Sequence, residues 1–320
     1  MADGPLVSVR DVVKSFRTRD GGQFRAVDGV SVDIRRGAAF GLVGESGSGK
    51  STLSRCILRL TKPDEGSICF DGRDMGTLSG GQLRRLRSQI QVVFQDPHGS
   101  LNRRKSVAEI IAAPLAAHRA GSRSQRAQRV AELLDLVQLP TAMTSRRPSE
   151  LSGGQAQRVA IARALALSPD FVVLDEAVSA LDVSIRAQIL NLLRDLQEQM
   201  GLSYLFIAHD LAAVAHMSHT IVVMYLGKIV EMGDAQTLAR APKHPYTAAL
   251  FSAALPSHPD ERRDEIILAG EVPSPLDPPA GCRFHPRCPH AMPVCGRQEP
   301  MLAQVGDRVV ACHLHEQPRH

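Results

Sequence analysis

The chain has 320 residues, of which 43% are hydrophobic and 22% are charged, and this composition supports a packed core and excludes a largely disordered protein. Aromatic residues make up 4% of the chain and tryptophan is absent, which argues against a base-stacking surface for single-stranded nucleic acid. The formal net charge of +5 is typical of a solvated surface, with a nucleic-acid or anionic-lipid surface as the alternatives. There is no N-terminal signal pattern and no apolar run of about 18 residues, so we expect no membrane span.

Strand patterns dominate the first part of the chain. Alternating hydrophobic residues predict strands at Val7 to Val12 and at Val30 to Ile34, with a turn at Gly21-Gly22 between them. The apolar run AAFGLVG predicts a buried strand, and a helix is expected from Lys50 to Leu60. The segment EGSICFDGRDM predicts a further strand and turn.

Helical patterns then alternate with buried strands. Residues 107–139 have helical spacing, and QAQRVAIARALAL predicts a helix with a buried face. FVVLDE and SYLFIAHD predict buried strands that end in polar residues, whereas HTIVVMYLGKIVEMG predicts two edge strands joined by a glycine turn. After about Ala241 the chain becomes rich in Pro, His, Arg and Cys, and PLDPPAG indicates a linker. We therefore expect an α/β domain followed by a small C-terminal extension.

Two motifs predict a nucleotide site. GESGSGKS, Gly44 to Ser51, fits the pattern G-x-x-x-x-G-K-[ST] between a predicted strand and a predicted helix. The glycines let backbone N–H groups wrap a phosphate chain, Lys50 can reach the β- and γ-phosphates, and Ser51 can bind Mg²⁺. At the end of FVVLDE, Asp175 can hold Mg²⁺ and Glu176 can polarise a water molecule. Together the motifs predict a hydrolase of Mg-ATP.

The five letters Leu-Ser-Gly-Gly-Gln occur twice, at Leu78 to Gln82 and at Leu151 to Gln155. The second copy follows Gln95 in VVFQDP and precedes Asp175, and this order resembles the ATP-binding subunits of ABC transporters over nearly the whole chain. The resemblance implies that the second copy is the signature segment, which grips the γ-phosphate bound to the opposite subunit. It implies that the first copy is a surface loop entering a helix.

The resemblance also implies roles for single residues. SALD, Ser179 to Asp182, looks like the loop that crosses the dimer interface, and His209 in IAHD looks like the switch histidine. Phe16 occupies the place of the aromatic that stacks on adenine, with a core phenylalanine as the alternative. The implied nucleotide-binding residues are Phe16, Gly44, Glu45, Ser46, Gly47, Ser48, Gly49, Lys50, Ser51, Thr52, Ser152, Gly153, Gly154, Gln155 and Asp182. Catalytic roles are implied for Gln95, Glu176 and His209, and Mg²⁺ ligation for Ser51, Gln95 and Asp175.

The implied architecture is an α/β P-loop NTPase (RecA-like) core with an N-terminal antiparallel β subdomain, a helical signature subdomain and a small Cys-rich extension. The ATPase domain would cover residues 1–240, with its helical subdomain at about 100–165, and the extension would cover residues 241–320. The segment KHPYTAALFSAALP and the Cys-rich tail resemble the oligopeptide/dipeptide importer branch. The segment DEAVSALDVS is similar to the corresponding segment of the second of that branch's two ATPases.

This branch implies a subunit that hydrolyses ATP, with Mg²⁺, to power the import of dipeptides and oligopeptides. Its implied partners are a second ABC ATPase in a heterodimer, two membrane permease subunits and an extracytoplasmic substrate-binding protein, with no nucleic acid. The implied location is peripheral, on the cytoplasmic face of the cell membrane. Two alternatives stay open: an ABC-type ATPase that acts on nucleic acid, and an importer of another small solute such as a nickel chelate.

The C-terminal cysteines form a separate pattern, C-x5-C-x6-C-x16-C, made by Cys282, Cys288, Cys295 and Cys312. In a reducing compartment these are thiols or metal ligands rather than disulfides. Thiolates favour iron–sulfur clusters or zinc, and the absence of C-x-x-C pairs disfavours a zinc ribbon. We therefore expect a four-iron four-sulfur cluster, with zinc, or free thiols and oxidised pairs, as alternatives. Nearby histidines that could replace one ligand are His285, His290, His313 and His315.

Overall fold

The structure, a computed structural model, describes residues 4–18, 20–253 and 266–316. The described residues divide into two compact units. The first unit takes its residues from Met1–Ile34, Ala39–Gly76 and Ile207–His320, and the second from Arg35–Ala38 and Thr77–Phe206. Each unit is therefore assembled from segments that are distant in sequence.

The strands of the described ranges are β1 (Val7–Arg17), β2 (Gln23–Ile34), β3 (Ala39–Val43), β4 (Glu65–Phe70), β5 (Arg73–Asp74), β6 (Ile90–Val93), β7 (Phe171–Asp175), β8 (Ser203–Ile207), β9 (Thr220–Tyr225), β10 (Lys228–Asp234), β11 (Ala303–Val305) and β12 (Arg308–Val310). The α-helices are α1 (Lys50–Ile57), α2 (Gly80–Gln89), α3 (Pro97–Ser100), α4 (Val107–Ala117), α5 (Arg123–Leu136), α6 (Gly153–Leu165), α7 (Val183–Met200), α8 (Leu211–Met217), α9 (Ala235–Arg240) and α10 (Pro245–Ser252). In the part of the chain that is described, no helix is both long and apolar enough to cross a membrane.

An antiparallel sheet with the order β2-β1-β4-β5 lies in the first unit. Its residues alternate as the sequence indicated: Val7 and Val9 are fully buried, whereas Arg10 is exposed. The strand predicted at Val30 to Ile34 is the last part of the longer β2. The alternating pattern predicted the strands, and the structure pairs them in antiparallel fashion.

The second sheet of this unit has the order β11-β12-β10-β9-β3. Strand β3 is buried along its whole length and pairs with β9 in parallel, whereas β9 and β10 pair as an antiparallel hairpin around Gly227. The prediction that β9 and β10 are edge strands is therefore wrong. The C-terminal extension adds β12 alongside β10, and no pattern in the hairpin itself could indicate that distant partner.

The second unit combines three strands with most of the helices. Strands β6 and β7 are parallel, and β8 lies on the other side of β7. Helix α6 packs against α3, α4, α5 and α7, and its alanine-rich face is buried, including Ala156, Ala160 and Ala164. Small side chains on that face allow the neighbouring helices to approach closely.

Helix α1 ends at Ile57, three residues earlier than the predicted Leu60. Arg59 has φ 54, a left-handed conformation that ends an α-helix because it breaks the repeating backbone geometry. The sequence offers no glycine at this position, so the end of the helix was not predictable from the usual stop signal.

Candidate functional site

The segment Gly44–Ser51 connects β3 to α1, as the phosphate-loop pattern requires. Gly44 has φ 150 and Gly49 has φ 104. A Cβ atom at Gly44 would lie 2.2 Å from the carbonyl oxygen of Met224, and one at Gly49 would lie 2.1 Å from that of Ala26. Both neighbours are backbone atoms that cannot move aside cheaply, so this loop path requires glycine at both positions.

The ammonium group of Lys50 lies over this loop and is 5% exposed. Its Nζ donates to the carbonyl oxygens of Gly44 at 2.6 Å and Glu45 at 2.9 Å, and to the hydroxyl of Ser48 at 3.3 Å. The charge is thus held at the place where the loop's N–H groups can take up an anion. A phosphate oxygen can replace these oxygens as a partner of the lysine.

Two residues from far along the chain also contact the loop, and the sequence did not reveal them. The N–H of Glu45 donates to the hydroxyl of Tyr246 at 2.7 Å. Arg287 donates from Nη1 to Oε2 of Glu45 at 2.8 Å and from Nη2 to Oε1 at 3.2 Å. Because these partners lie 201 and 242 positions away in the sequence, no local pattern signals either contact.

The predicted acidic pair lies at the end of β7, where Phe171–Leu174 is buried and Asp175 is half-buried. Glu176 follows with φ 53. A non-glycine residue in this left-handed region costs on the order of 1–3 kcal/mol, and such strain is concentrated at functional sites. Seven other non-glycine residues of the described ranges, Arg59 among them, also have a positive φ, so this conformation alone does not single out Glu176.

The other predicted polar residues follow strands or begin helices. Gln95 is exposed two residues after β6, and His209 is exposed two residues after β8. Asp182 is the residue before α7, and its Oδ1 accepts the N–H of Ile185 at 3.1 Å. Gln95 and His209 are therefore accessible to a ligand, and Asp182 is fixed by its capping bond.

Two regions of this chain match known protein families, and known proteins resemble nearly its whole length. Residues 27–179 match the ABC transporter family, and residues 230–295 match the C-terminal region of oligopeptide/dipeptide transporters. A putative peptide import ATP-binding protein of Brucella ovis is 48% identical over 305 residues, which is 95% of this chain and 96% of that protein. The oligopeptide transport ATP-binding protein AppF of Bacillus subtilis is 47% identical over 320 residues, 97% of each chain.

The chain belongs to the ATP-binding proteins of ABC transporters. A dimeric ATP-binding cassette bound to ADP and Pi, in a post-hydrolysis state, has a TM-score of 0.65 and 31% identity, over 72% of this chain and 98% of that one. The structure of cbiO1 from Clostridium perfringens has a TM-score of 0.66 and 27% identity, over 74% of this chain and 91% of that one. The fold of this ABC ATPase is accordingly the cassette fold of P-loop NTPases.

Both Leu-Ser-Gly-Gly-Gln segments of this ABC ATPase begin helices. In the second, the Ser152 hydroxyl accepts the N–H of Gln155 at 3.3 Å, and the Ser152 N–H donates to the Gln155 side chain at 3.0 Å. In the first, the Ser79 N–H donates to the Gln82 side chain at 2.9 Å. Both segments therefore begin with a helix-capping box, and this local motif does not by itself identify the functional copy.

Packing does distinguish them. A Cβ atom at Gly154 would lie 2.7 Å from Cγ2 of Ile185 at the start of α7, whereas one at Gly80 or Gly81 would meet nothing within 4 Å. Only the second copy thus has a glycine that a neighbouring element requires. This asymmetry agrees with the interpretation of residues 78–82 as a surface loop.

Phe16 is 38% exposed on β1, which excludes the alternative that it is a core phenylalanine. Its ring lies 6.0 Å from that of Phe24, and Lys14 Nζ lies 5.7 Å from its centroid.

The ABC ATPase does not arrange the four C-terminal cysteines as a metal site. Within residues 4–18, 20–253 and 266–316, no group of three or more His, Cys, Asp or Glu side chains could hold a metal ion, and all six thiols are free. The structure therefore does not support the predicted four-iron four-sulfur cluster or the zinc alternative. Burial raises the pKa of the Cys282 and Cys288 thiols, and raises that of Cys312 to about 11.

Three of the four neighbouring histidines are engaged in hydrogen bonds as well. His313 contacts the Glu316 carboxylate at 2.8 Å through Nδ1 and the carbonyl oxygen of Gln298 at 2.9 Å through Nε2. Nδ1 of His285 and Nε2 of His315 also contact backbone oxygens. These contacts help to hold the extension together.

Proposed function

We propose that this chain is the ATP-hydrolysing subunit of a transporter that imports peptides. The observation that carries the proposal is the pairing, in one chain, of a phosphate loop with a C-terminal region of the oligopeptide/dipeptide transporter type. Curated relatives with nearly full-length similarity are named for peptide import and oligopeptide transport. Residues 1–240 would form the ATPase domain, with a helical subdomain at about 100–165, and residues 241–320 the extension.

In this proposal the loop Gly44–Thr52 binds the phosphates of ATP, with Lys50 on the β- and γ-phosphates, and Phe16 stacks on adenine. Hard oxygen donors suit Mg²⁺, and Ser51, Gln95 and Asp175 supply them. When bound, Mg²⁺ neutralises charge on the phosphates.

Glu176 would accept a proton from the attacking water, a task that its carboxylate suits at this place directly after Asp175. His209 would contact the γ-phosphate. Glu176 directly follows β7, and His209 follows β8 by two residues.

The subunit would work as one half of a pair. Ser152 to Gln155 would contact the γ-phosphate bound to a second ABC ATPase, and Asp182 would cross the interface between the two. The dimeric cassettes among similar structures support pairing, and a heterodimer is the form we propose. Two permease subunits and an extracytoplasmic substrate-binding protein would complete the transporter, and would hold this chain peripherally at the cytoplasmic face of the membrane.

We assign no iron–sulfur cluster to the extension, because the four cysteines lack the arrangement of a ligand set. The content of iron, sulfide and zinc in anaerobically purified protein is the direct measurement. About four irons per chain would overturn this assignment.

Uptake of a labelled tripeptide tests the function directly. In cells that lack this chain, we expect the wild-type chain to restore ATP-dependent uptake and Lys50→Ala to leave it at background, because the lysine charge on the phosphates is lost. An exposed control, Lys62→Ala, should restore uptake like the wild type. Restored uptake of a nickel chelate without peptide uptake, or salt-sensitive DNA binding without uptake, would contradict the proposal.

A further inference from the structure

The second residue of the phosphate loop carries a negative charge. Glu45 is half-buried, with a side chain that is 26% exposed, and it directly follows Gly44 at the start of the loop. A carboxylate at this place repels the phosphates of ATP, since like charges in a partly desolvated site are poorly screened. The loop therefore needs a cation that cancels this charge.

Arg287 is that cation. Its guanidinium forms a bidentate ion pair with Glu45, with hydrogen bonds of 2.8 and 3.2 Å to the two carboxylate oxygens. This is the strongest arrangement of a guanidinium and a carboxylate. The arginine side chain is 9% exposed. Burial disfavours its charge, but the ion pair with Glu45 outweighs this effect and raises the pKa of Arg287. The charge of Arg287 is thus present at every pH at which the protein works.

An aromatic cluster holds this arginine in place. Arg287 lies one turn from Phe284, which is 1% exposed and packs edge-on against Tyr225 with ring centroids 5.4 Å apart. Phe284 also lies 5.4 Å from the ring of Tyr246. Tyr246 in turn accepts the backbone N–H of Glu45. The extension therefore fixes the carboxylate and the backbone of the same loop residue.

A second ion pair fixes the start of the segment 283–287, which ends at Arg287. Arg283 donates to the carboxylate of Asp28 and to the carbonyl oxygen of Leu226. Asp28 is 6% exposed and also pairs with Lys228 at 3.4 Å. Residues 283–287 are thus anchored at both ends, by Arg283 at one and by Arg287 at the other.

We propose that Arg287 of the C-terminal extension is a positioning residue for ATP binding, which acts by neutralising and orienting Glu45 of the phosphate loop. The extension would thereby set the affinity of the site for ATP, although it lies outside the cassette motifs. The inference rests on the proposed assignment of Gly44–Ser51 as the phosphate loop.

The test is the dissociation constant for a non-hydrolysable ATP analogue with Mg²⁺, measured by calorimetry on the full chain. We expect Arg287→Gln to weaken binding about 10-fold, because Glu45 is then uncompensated. In a chain that already carries Glu45→Gln, the same change should weaken binding less than about 2-fold. Arg287→Lys keeps the charge but loses the two-pronged contact, and its loss should be about 3-fold.

The controls separate this charge effect from loss of structure. Arg10 forms an exposed pair with Asp33 at 2.7 Å, and Arg10→Gln should leave the dissociation constant unchanged. An equal loss of affinity for Arg287→Gln in both backgrounds, or no loss in either, would overturn the proposal. Lys50→Ala should abolish binding; if it binds like the wild type, the assignment of the phosphate loop has failed, whatever Arg287 does.

Discussion

Glu176→Gln is expected to lower the rate of ATP hydrolysis by about 100- to 10,000-fold, which is the usual contribution of a general base. Glutamine has the size and shape of glutamate but cannot accept the proton of the attacking water. The backbone at Glu176 has φ 53 and is not changed by the substitution, so the glutamine side chain should occupy the same place. Binding of ATP should persist, because Lys50 and the glycines of the loop are unchanged.

The measurement is phosphate release by the assembled transporter, combined with the fraction of protein that keeps bound ATP. A matched control is Glu198→Gln on α7, because Glu198 is 71% exposed and pairs only loosely with Arg194 at 3.6 Å. The control should hydrolyse ATP like the wild type. Turnover of Glu176→Gln within about twofold of wild type would contradict a role as general base, since the expected loss is far larger.

Arg308→Met is expected to lower the free energy of unfolding by about 3–5 kcal/mol, the cost of leaving one member of a buried ion pair alone. Glu231 is 0% exposed and Arg308 is 4% exposed, with 3.3 Å between Oε1 and Nη1. Glu231 also accepts the N–H groups of Lys243 and His244. Without the arginine, the buried carboxylate of Glu231 keeps these two N–H donors but loses the positive charge that balances its own.

Urea unfolding of the full chain measures this loss. The change Arg10→Met removes an exposed ion pair, that of Arg10 with Asp33, and should cost no more than about 1 kcal/mol. The double variant Glu231→Gln/Arg308→Met should be more stable than Arg308→Met alone, because the uncompensated charge is gone. A loss below about 1 kcal/mol for Arg308→Met would show that β12 does not depend on this pair.

The nucleotide motifs were predictable because their chemistry is local. The order of glycines and Lys50 between a strand and a helix determines the loop path, and four apolar residues before Asp175 determine a buried strand. The glycines prove to be required by the backbone of Met224 and Ala26, but the pattern alone already indicated a phosphate site. Short-range patterns of this kind can be recognised in the sequence without knowledge of the tertiary fold.

The contacts of the C-terminal extension were not predictable, because each joins residues far apart in sequence. Arg287 in a Pro- and Cys-rich tail looks like a surface residue until the fold brings it to Glu45. The hairpin β9–β10 looks like an edge until Arg308–Val310 pairs with it. The spacing of the cysteines suggested a metal, but sequence spacing does not show whether side chains converge, and here they do not form a ligand set.

We propose that ATP is hydrolysed between the phosphate loop of one subunit and the segment Leu151–Gln155 of the other. The rates of ATP hydrolysis of Ser152→Ala and Ser79→Ala, measured side by side in the assembled transporter, test it most directly. Both changes remove a similar helix cap, so their effects on helix stability should be alike. We expect a loss of at least about 10-fold for Ser152→Ala, since a hydrogen bond to a charged group is worth about 1.5–3 kcal/mol. Ser79→Ala should keep wild-type turnover. Loss of turnover in Ser79→Ala, with normal turnover in Ser152→Ala, would contradict it.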